Sequence, residues 1–385
     1  MNELVAQIEE ELKNPRNNLN ELLTNEVIST QTCEDLLTIA ELLTKHNHYH
    51  EAKRVLSPII DAEVKSGQAY YLMGNISVAL NQIETAKEYY VKALSLGFSE
   101  EKTAAALALV EKALGHRRAA EKLLKQADEN ERASALPKVL LYSLYMEQSR
   151  FDEAKKIAND LCEALPWSYL GYHSMLVAFF AQHKYEAAKL YLDSVDTRFM
   201  TTSAYVVDYT STLLLLKKAS DADQYWQAHH EQIDKDSLEY ARIEAQIASD
   251  LQDFDRSLMA NKLLYERFGV ESAAISAATL LIMEQDFNGA LEFLRLVVEA
   301  KQFTKAYYSA LYLRAFCEGQ VAPNTAEKLY SEAIRIYEEA YQKNAVNTYV
   351  MSFAAECYRR LGDTKNASRC DQIVSDFKRQ QGIVS

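Results

Sequence analysis

GQAYYLMGNISVALNQIETAKEYYVKALSLG, residues Gly67 to Gly97, holds two runs of helical periodicity separated by a short polar break. Tyr70, Met73, Gly74 and Ser77 recur at helical spacing in the first run, and Ala86, Tyr90 and Ala93 do so in the second. Bulky and small positions alternate, which is what close antiparallel packing of two helices requires. The pattern predicts a helical hairpin in which Gly74 faces Ala86 across the pair.

The remainder of the chain repeats this unit. Ala52, Ala86, Ala120, Ala154, Ala188 and Ala222 follow one another at intervals of 34 residues, from 86 − 52 to 222 − 188. Three residues before each stands the expected first residue of the second helix: Tyr49, Ile83, Arg117, Phe151, Tyr185 and Ala219. The register then slips to intervals of 35 and 33, with Phe254 before Ser257 and Phe287 before Ala290. Further on, a first helix around Tyr307 to Cys317, a loop holding Gly319, Pro323 and Asn324, and a long second helix from Ala326 are expected. A last copy carries Tyr358, Gly362 and Ala367. Ahead of the array, one helix to about Lys13, a break at Asn14 and Pro15, and a second helix through Leu19, Leu22, Leu23 and Val27 read as a cap.

Composition agrees with an all-helical chain. Of 385 residues 48% are hydrophobic, yet 10 Gly and 5 Pro are too few to punctuate many strands and tight turns. The net charge of −13 is spread along the chain, and basic groups such as His116–Arg118 and Arg359–Arg360 are isolated, which argues against a polyanionic partner. Five cysteines at wide spacings, with no Cys-x-x-Cys pair, fit a reducing compartment, and several fall on expected apolar faces as small hydrophobes. The start, MNELVAQIEEELKN, lacks the basic and apolar regions of a secretory signal, and no apolar run reaches the length of a membrane span. A cytoplasmic protein without membrane insertion is expected.

A 34-residue period with two helices per unit resembles the tetratricopeptide repeat superfamily, no particular member being indicated. On the family's pattern Tyr70 stands for the first large residue, Met73 for Leu, Gly74 for Gly, Ser77 for Tyr, Ala86 for Ala, Tyr90 for the second-helix aromatic and Ala93 for the last Ala. The resemblance implies an all-α, right-handed superhelical solenoid of about ten antiparallel helix-turn-helix hairpins. It divides into a capping hairpin over 1–32, a regular array over 33–303, and over 304–385 an irregular longer repeat, a final repeat and a short tail. In such arrays the first helices line the inner face. The inward positions here are Tyr71, Asn75, Val78, Leu109, Val139, Met146, His173, Val177, Phe180, Val207, Ser211, Leu214 and Leu215, followed by Ile275, Ile282 and Met283. This stripe is apolar in its middle, between 135 and 216, and polar at Glu34, Glu41 and Lys45 and again at Glu239, Arg242 and Gln246.

The implied function is a non-catalytic interaction scaffold or adaptor that holds an amphipathic or apolar segment of another protein in that groove. A second reading is a regulatory receptor whose superhelix changes conformation on binding a short peptide. Against the grooved reading stands the plain one, that an apolar stripe on a helix belongs to the core. A carboxylate clamp of the kind some family members use would need more than Asn75 and Lys102, since Glu41 and Ala106 occupy the companion places. His46, His48 and His50 alternate through a turn and read as polar turn residues without further ligands. No phosphate loop, dinucleotide turn or nucleophile elbow occurs. Neither a cofactor, a metal site nor a catalytic residue is expected.

Overall fold

The computed structural model describes residues 3–13, 18–130, 134–344 and 348–380. Two compact units divide the chain, Met1–Tyr191 and Leu192–Ser385. In the first, α1 (Glu3–Glu11), α2 (Leu19–Leu22) and α3 (Asn25–Ser29) precede five hairpins. These are α4 (Cys33–Lys45) and α5 (Tyr49–Asp61), α6 (Gly67–Ala79) and α7 (Ile83–Ser95), α8 (Glu100–Ala113) and α9 (Arg117–Asn130), α10 (Leu136–Glu147) and α11 (Phe151–Ala164), then α12 (Leu170–Ala181) and α13 (Tyr185–Asp193), within which the boundary falls. The second unit holds α14 (Ser203–Leu215) and α15 (Ala219–His229), α16 (Leu238–Asp250) and α17 (Phe254–Phe268), α18 (Glu271–Met283) and α19 (Phe287–Glu299), α20 (Lys305–Val321) and α21 (Pro323–Lys343), and α22 (Tyr349–Arg360) and α23 (Thr364–Gln380). No strand occurs among the described residues.

Each of the eight residues expected to open a second helix, from Tyr49 to Phe287, is the first residue of one. The reason is a turn of constant construction. In nine hairpins three residues separate the helices, and the middle one has a left-handed backbone: Asn47, Asn81, Gly115, Ser149, His183, Lys217, Gln252, Gln285 and Gly362. The residue after it donates its N–H back into the first helix, as Gln82 does to the Ser77 carbonyl at 2.8 Å and Lys218 to the Leu213 carbonyl at 2.9 Å. This is the Schellman closure of a helix end, which satisfies carbonyls that would otherwise lack partners. Glycine is the residue suited to the middle position, but only Gly115 and Gly362 supply it. Seven side chains therefore sit at positive φ because the tertiary fold holds them there. Five of the first helices start on a hydroxyl cap: Thr32, Ser66, Thr202, Ser237 and Thr304 each accept from the backbone N–H three residues on.

The small residue early in the second helix is sealed in every regular copy. Ala52, Ala86, Ala154, Ala188, Ala222 and Ala290 are 0% exposed, and Ser257 is 3% exposed. Four residues later the interface is filled by Leu56, Tyr90, Leu124, Ala158, Leu192, Trp226 or Leu294, all buried. Successive hairpins then pack second helix against next first helix, α5 on α6 and α7 on α8 in one unit, α15 on α16 and α17 on α18 in the other. Each hairpin covers the apolar face its neighbour leaves open, so the units are held by nearest-neighbour interfaces.

Two expectations differ from the structure. The cap's second helix is broken, because the Thr24 hydroxyl accepts from the Val27 N–H at 3.3 Å and starts α3 anew. The expected loop through Gly319, Pro323 and Asn324 is absent, since α20 runs on to Val321 and α21 begins at Pro323, leaving Ala322 alone between them. Proline at the first helical position needs no N–H partner, so the second helix can start there. The expected break at Asn14 and Pro15 and the end of the tail lie outside the described residues.

Polar ties lock neighbouring hairpins. In the first unit Glu121 on α9 takes Arg150 Nη1 at 2.7 Å, Lys125 Nζ at 2.7 Å and the Tyr145 hydroxyl at 3.1 Å, and Arg150 also lies 4.4 Å over the Tyr145 ring. In the second, Arg256 on α17 bridges Glu244 at 2.6 Å and Asp223 at 2.8 Å, while Trp226 Nε1 donates to Glu244 at 2.6 Å. The first joins α9, α10 and the turn that precedes α11, and the second spans α15, α16 and α17.

Strain at the turns makes a measurable prediction. Lys217→Gly should raise the urea midpoint, because relief of a left-handed side chain, worth about 1–2 kcal/mol, exceeds the extra chain entropy of glycine. Gly115→Val should lower it by a similar amount, and a lowered midpoint for Lys217→Gly would contradict the account. The Glu121 tie predicts a pH dependence. The Arg150 guanidinium, ahead of Lys125, holds the Glu121 carboxyl down to about 2. A depressed folded-state value means that the stabilisation is complete above the ordinary carboxylate range and is lost as pH falls toward that value. Glu121→Gln should therefore cost roughly 1–3 kcal/mol at pH 7 and almost nothing near pH 2, read as urea midpoints against the parent chain.

Candidate functional site: a cavity on the first-helix face

Between α6, α8 and α10 of the first unit lies a cavity of about 380 Å³. Tyr71, Asn75 and Val78 come to it from α6, Lys102, Ala106 and Leu109 from α8, and Leu136 and Leu140 from α10, with Ile83 and Tyr90 of α7 at its base. Leu109 is 48% exposed and Val78 and Leu136 are each 40% exposed, an uncovered apolar floor for a chain whose other large hydrophobics are mostly buried. Among the described residues Lys102 forms no ion pair, and the only amide in the lining is Asn75.

The floor is set by Tyr90. Its ring lies on Gly74, where an added Cβ would stand 2.6 Å from Cδ1, and its hydroxyl donates to Asn75 Oδ1 at 2.7 Å. The nearest neighbour of Gly74 is thus this ring, and not Ala86 as the sequence pattern predicts. A ring laid against a glycine fills the gap between the helices and still brings its polar end to the rim. Tyr71 leans on the same ring with centroids 5.7 Å apart and on Phe98 at 5.3 Å. Burial, and then the neighbouring Tyr71, push the Tyr90 phenol well above its ordinary value, so it stays a hydrogen-bond donor at neutral pH.

Of the expected groove residues, the cavity brings together Tyr71, Asn75 and Leu109. Val139 and Met146 on α10 pack half-buried against the cluster around Leu141 and Tyr145. Further along the first unit, His173 is exposed, while Val177 and Phe180 are half-buried, Phe180 with its ring 6.4 Å from that of Tyr185. In the second unit Val207 and Ser211 are half-buried, but Leu214 is 6% exposed and sits in the core with Val206 and Trp226. Leu215, its neighbour, is 39% exposed; a turn of one residue moves a side chain about 100° around a helix, and that decides groove from core. Ile83, Tyr90, Leu136 and Leu140 line the site without being among the expected groove residues. The period marks Ile83 as the start of a second helix, yet it carries no sign that its side chain reaches the opposite face.

The combination of a 34-residue interval, a three-residue Schellman turn and a sealed small residue on the second helix decides the architecture. It is a tetratricopeptide-type repeat fold. No family model matches the sequence, and no curated protein matches it. Among solved structures, a chain of Naa15/Naa10 bound to HypK-THB is similar at 15% identity over 89% of this chain, with a TM-score of 0.36, and this chain spans 63% of its length. YrrB, described as a tetratricopeptide protein with an unusual peptide-binding site, is similar at 19% identity over 56% of this chain and 96% of its own, with a TM-score of 0.38. Human IFIT1, solved as a dimer with m7Gppp-AAAA, is similar at 9% identity over 89% of this chain and 90% of its own, with a TM-score of 0.44.

Other chemistry is sparse. Among the described residues no group of three or more His, Cys, Asp or Glu side chains is placed to hold a metal, and His46, His48 and His50 flank or open α5 with His48 at 4.0 Å from Glu51. All five cysteines are free; Cys317, Cys357 and Cys370 are buried, and burial drives the Cys357 thiol up to about 12. A thiol held protonated in this way is a packing residue, not a nucleophile. No described helix is long and apolar enough to cross a membrane.

Gly74→Val tests the packing that forms the cavity floor. The displaced ring is hydrogen-bonded at its far end and cannot swing away freely, so the substitution should destabilise the chain by about 1–3 kcal/mol. Combining it with Tyr90→Ala should recover part of the loss in urea unfolding; strictly additive losses would show that the two residues do not share a contact.

Proposed function

We infer that the chain is a non-catalytic interaction scaffold that holds a short apolar or amphipathic protein segment in the cavity between α6, α8 and α10. The observation that carries this reading is the exposed floor of Val78, Leu109 and Leu136, bordered by one cation unpaired among the described residues, Lys102, and one amide, Asn75. Apolar side chains of a ligand lose water against that floor, and the amide and the ammonium fix its direction through backbone carbonyls or a carboxylate. A net charge of −13 speaks for a protein partner over a nucleic acid. Several buried hydroxyls and thiols occur, but none converges with a base and an orienting group among the described residues, which supports a binding role over a catalytic one.

Selection of peptides from a displayed random library on the full chain tests this reading. Enriched peptides should be rich in Leu, Ile and Phe, and Leu109→Glu should weaken them about tenfold or more, since a charge would be buried under the ligand. Because Leu109 is half-exposed in the free chain, its far-ultraviolet helicity should be unchanged. Selection of no sequences, or equal binding by Leu109→Glu, would remove this cavity from the function.

A further inference from the structure

The second unit departs from the repeat pattern at one place. In seven regular copies the residue four after the small one is apolar, but in α17 it is Asn261, and the small residue itself is Ser257 instead of alanine. Both are buried, Asn261 at 7% and Ser257 at 3% exposure. The amide puts polar atoms where the equivalent places carry Leu, Tyr, Trp or Ala, and a cavity of about 620 Å³ opens there between α16, α17 and α18.

We propose that this cavity is a binding site for a small free oxyanion, a phosphate or a carboxylate. Its lining contains no acidic residue in a chain that has 55 of them, and its single charge is Arg242, which pairs with no carboxylate among the described residues. Two hydroxyls that donate to no other group among the described residues border the remaining space, Ser249 on α16 and Ser272 on α18, while Ser276 and Thr279 donate to the Ser272 carbonyl at 3.1 Å and the Ile275 carbonyl at 2.8 Å. The buried Asn261 commits Nδ2 to the Ser257 carbonyl at 2.8 Å and leaves Oδ1 without a partner among the described residues. Guanidinium and hydroxyl donors supply a directional cradle for oxyanion lone pairs, and Asn261 Oδ1 can accept from a protonated phosphate oxygen or an adjoining hydroxyl. The size falls within the range of small-molecule sites. The lining runs from the exposed Arg242 to the buried Asn261 and Leu264 of α17, which suits a small ligand over a peptide. This site is separate from the apolar cavity of the first unit and does not rest on the function inferred for it.

Calorimetric titration of the full chain at constant ionic strength tests the assignment, with inorganic phosphate, succinate and a phosphoserine-containing peptide as probes. Inorganic phosphate or succinate should bind saturably, and the stronger of the two identifies the anion class. Arg242→Gln should weaken that binding about tenfold or more, whereas the exposed Arg335→Gln should leave it unchanged. Asn261→Leu, which installs the side chain that other copies carry, should abolish binding and raise the urea midpoint. Absence of binding by both free anions, binding by the peptide alone, or equal affinity in the Arg242→Gln chain would overturn the proposal. Arg242 is exposed, so that variant retains the fold and remains decisive even if the Asn261→Leu chain does not fold.

Discussion

Everything in these two units depends on how closely the helices of a hairpin can approach. The approach is set by a residue no larger than alanine or serine, early in the second helix and sealed from solvent in each regular copy. Around that contact the next position inward decides what the hairpin becomes. Where it is Leu, Tyr or Trp, apolar area is removed from water on both sides and the interface closes. Where it is Asn261, the same backbone geometry encloses polar space instead. Stability and site formation are thus two outcomes of one position on a common frame.

The two cavities differ for this reason and not because the hairpins are built differently. Near Tyr90 the ring is retained and laid on Gly74, so the space beside it is mostly apolar and open to a ligand that brings its own hydrophobic surface. Near Asn261 an amide takes the place of that ring, and the lining mixes Arg242, Asn261 and several hydroxyls with Ala245, Leu264, Val270 and Ile275. Lys102 and Arg242 each add a single cation to a chain of strongly acidic balance. A lone cation in a negative surround concentrates the local attraction for an anionic group while the wider field discourages polyanions.

The repeat frame is legible in the sequence because an alanine recurring at fixed intervals reports a steric limit, and a steric limit leaves few other residue types open. All eight starts of second helices follow from it. What is not legible depends on rotation and on competition between local bonds. Leu214 and Leu215 are chemically alike, yet only their angle about the α14 axis separates core from surface. Thr24 looks like one more helical residue until its hydroxyl caps a new helix, and Ala322 does alone what Gly319 and Asn324 are expected to do. Tyr90 reads as the second-helix aromatic, but nothing in the pattern says that its ring chooses Gly74 and its hydroxyl Asn75. The departure at Ser257 and Asn261 is visible as a register slip, and its meaning requires the cavity.

Within hairpins the connection is three residues long in nine cases, whereas the connections between successive hairpins range from Gly269 and Val270 alone to the nine residues between Asp193 and Ser203. The Schellman turn has no slack: one inserted residue would advance the second helix by about 100° and carry its sealed alanine away from its partner. The links between hairpins end on no such contact. In the regular copies length varies in those links and in the second helices before them, and the shifts of the 34-residue interval to 35 and 33 fall there, beside α15, α16, α17 and α18. Such a spacer can lengthen or shorten without disturbing the hinge of either hairpin it joins.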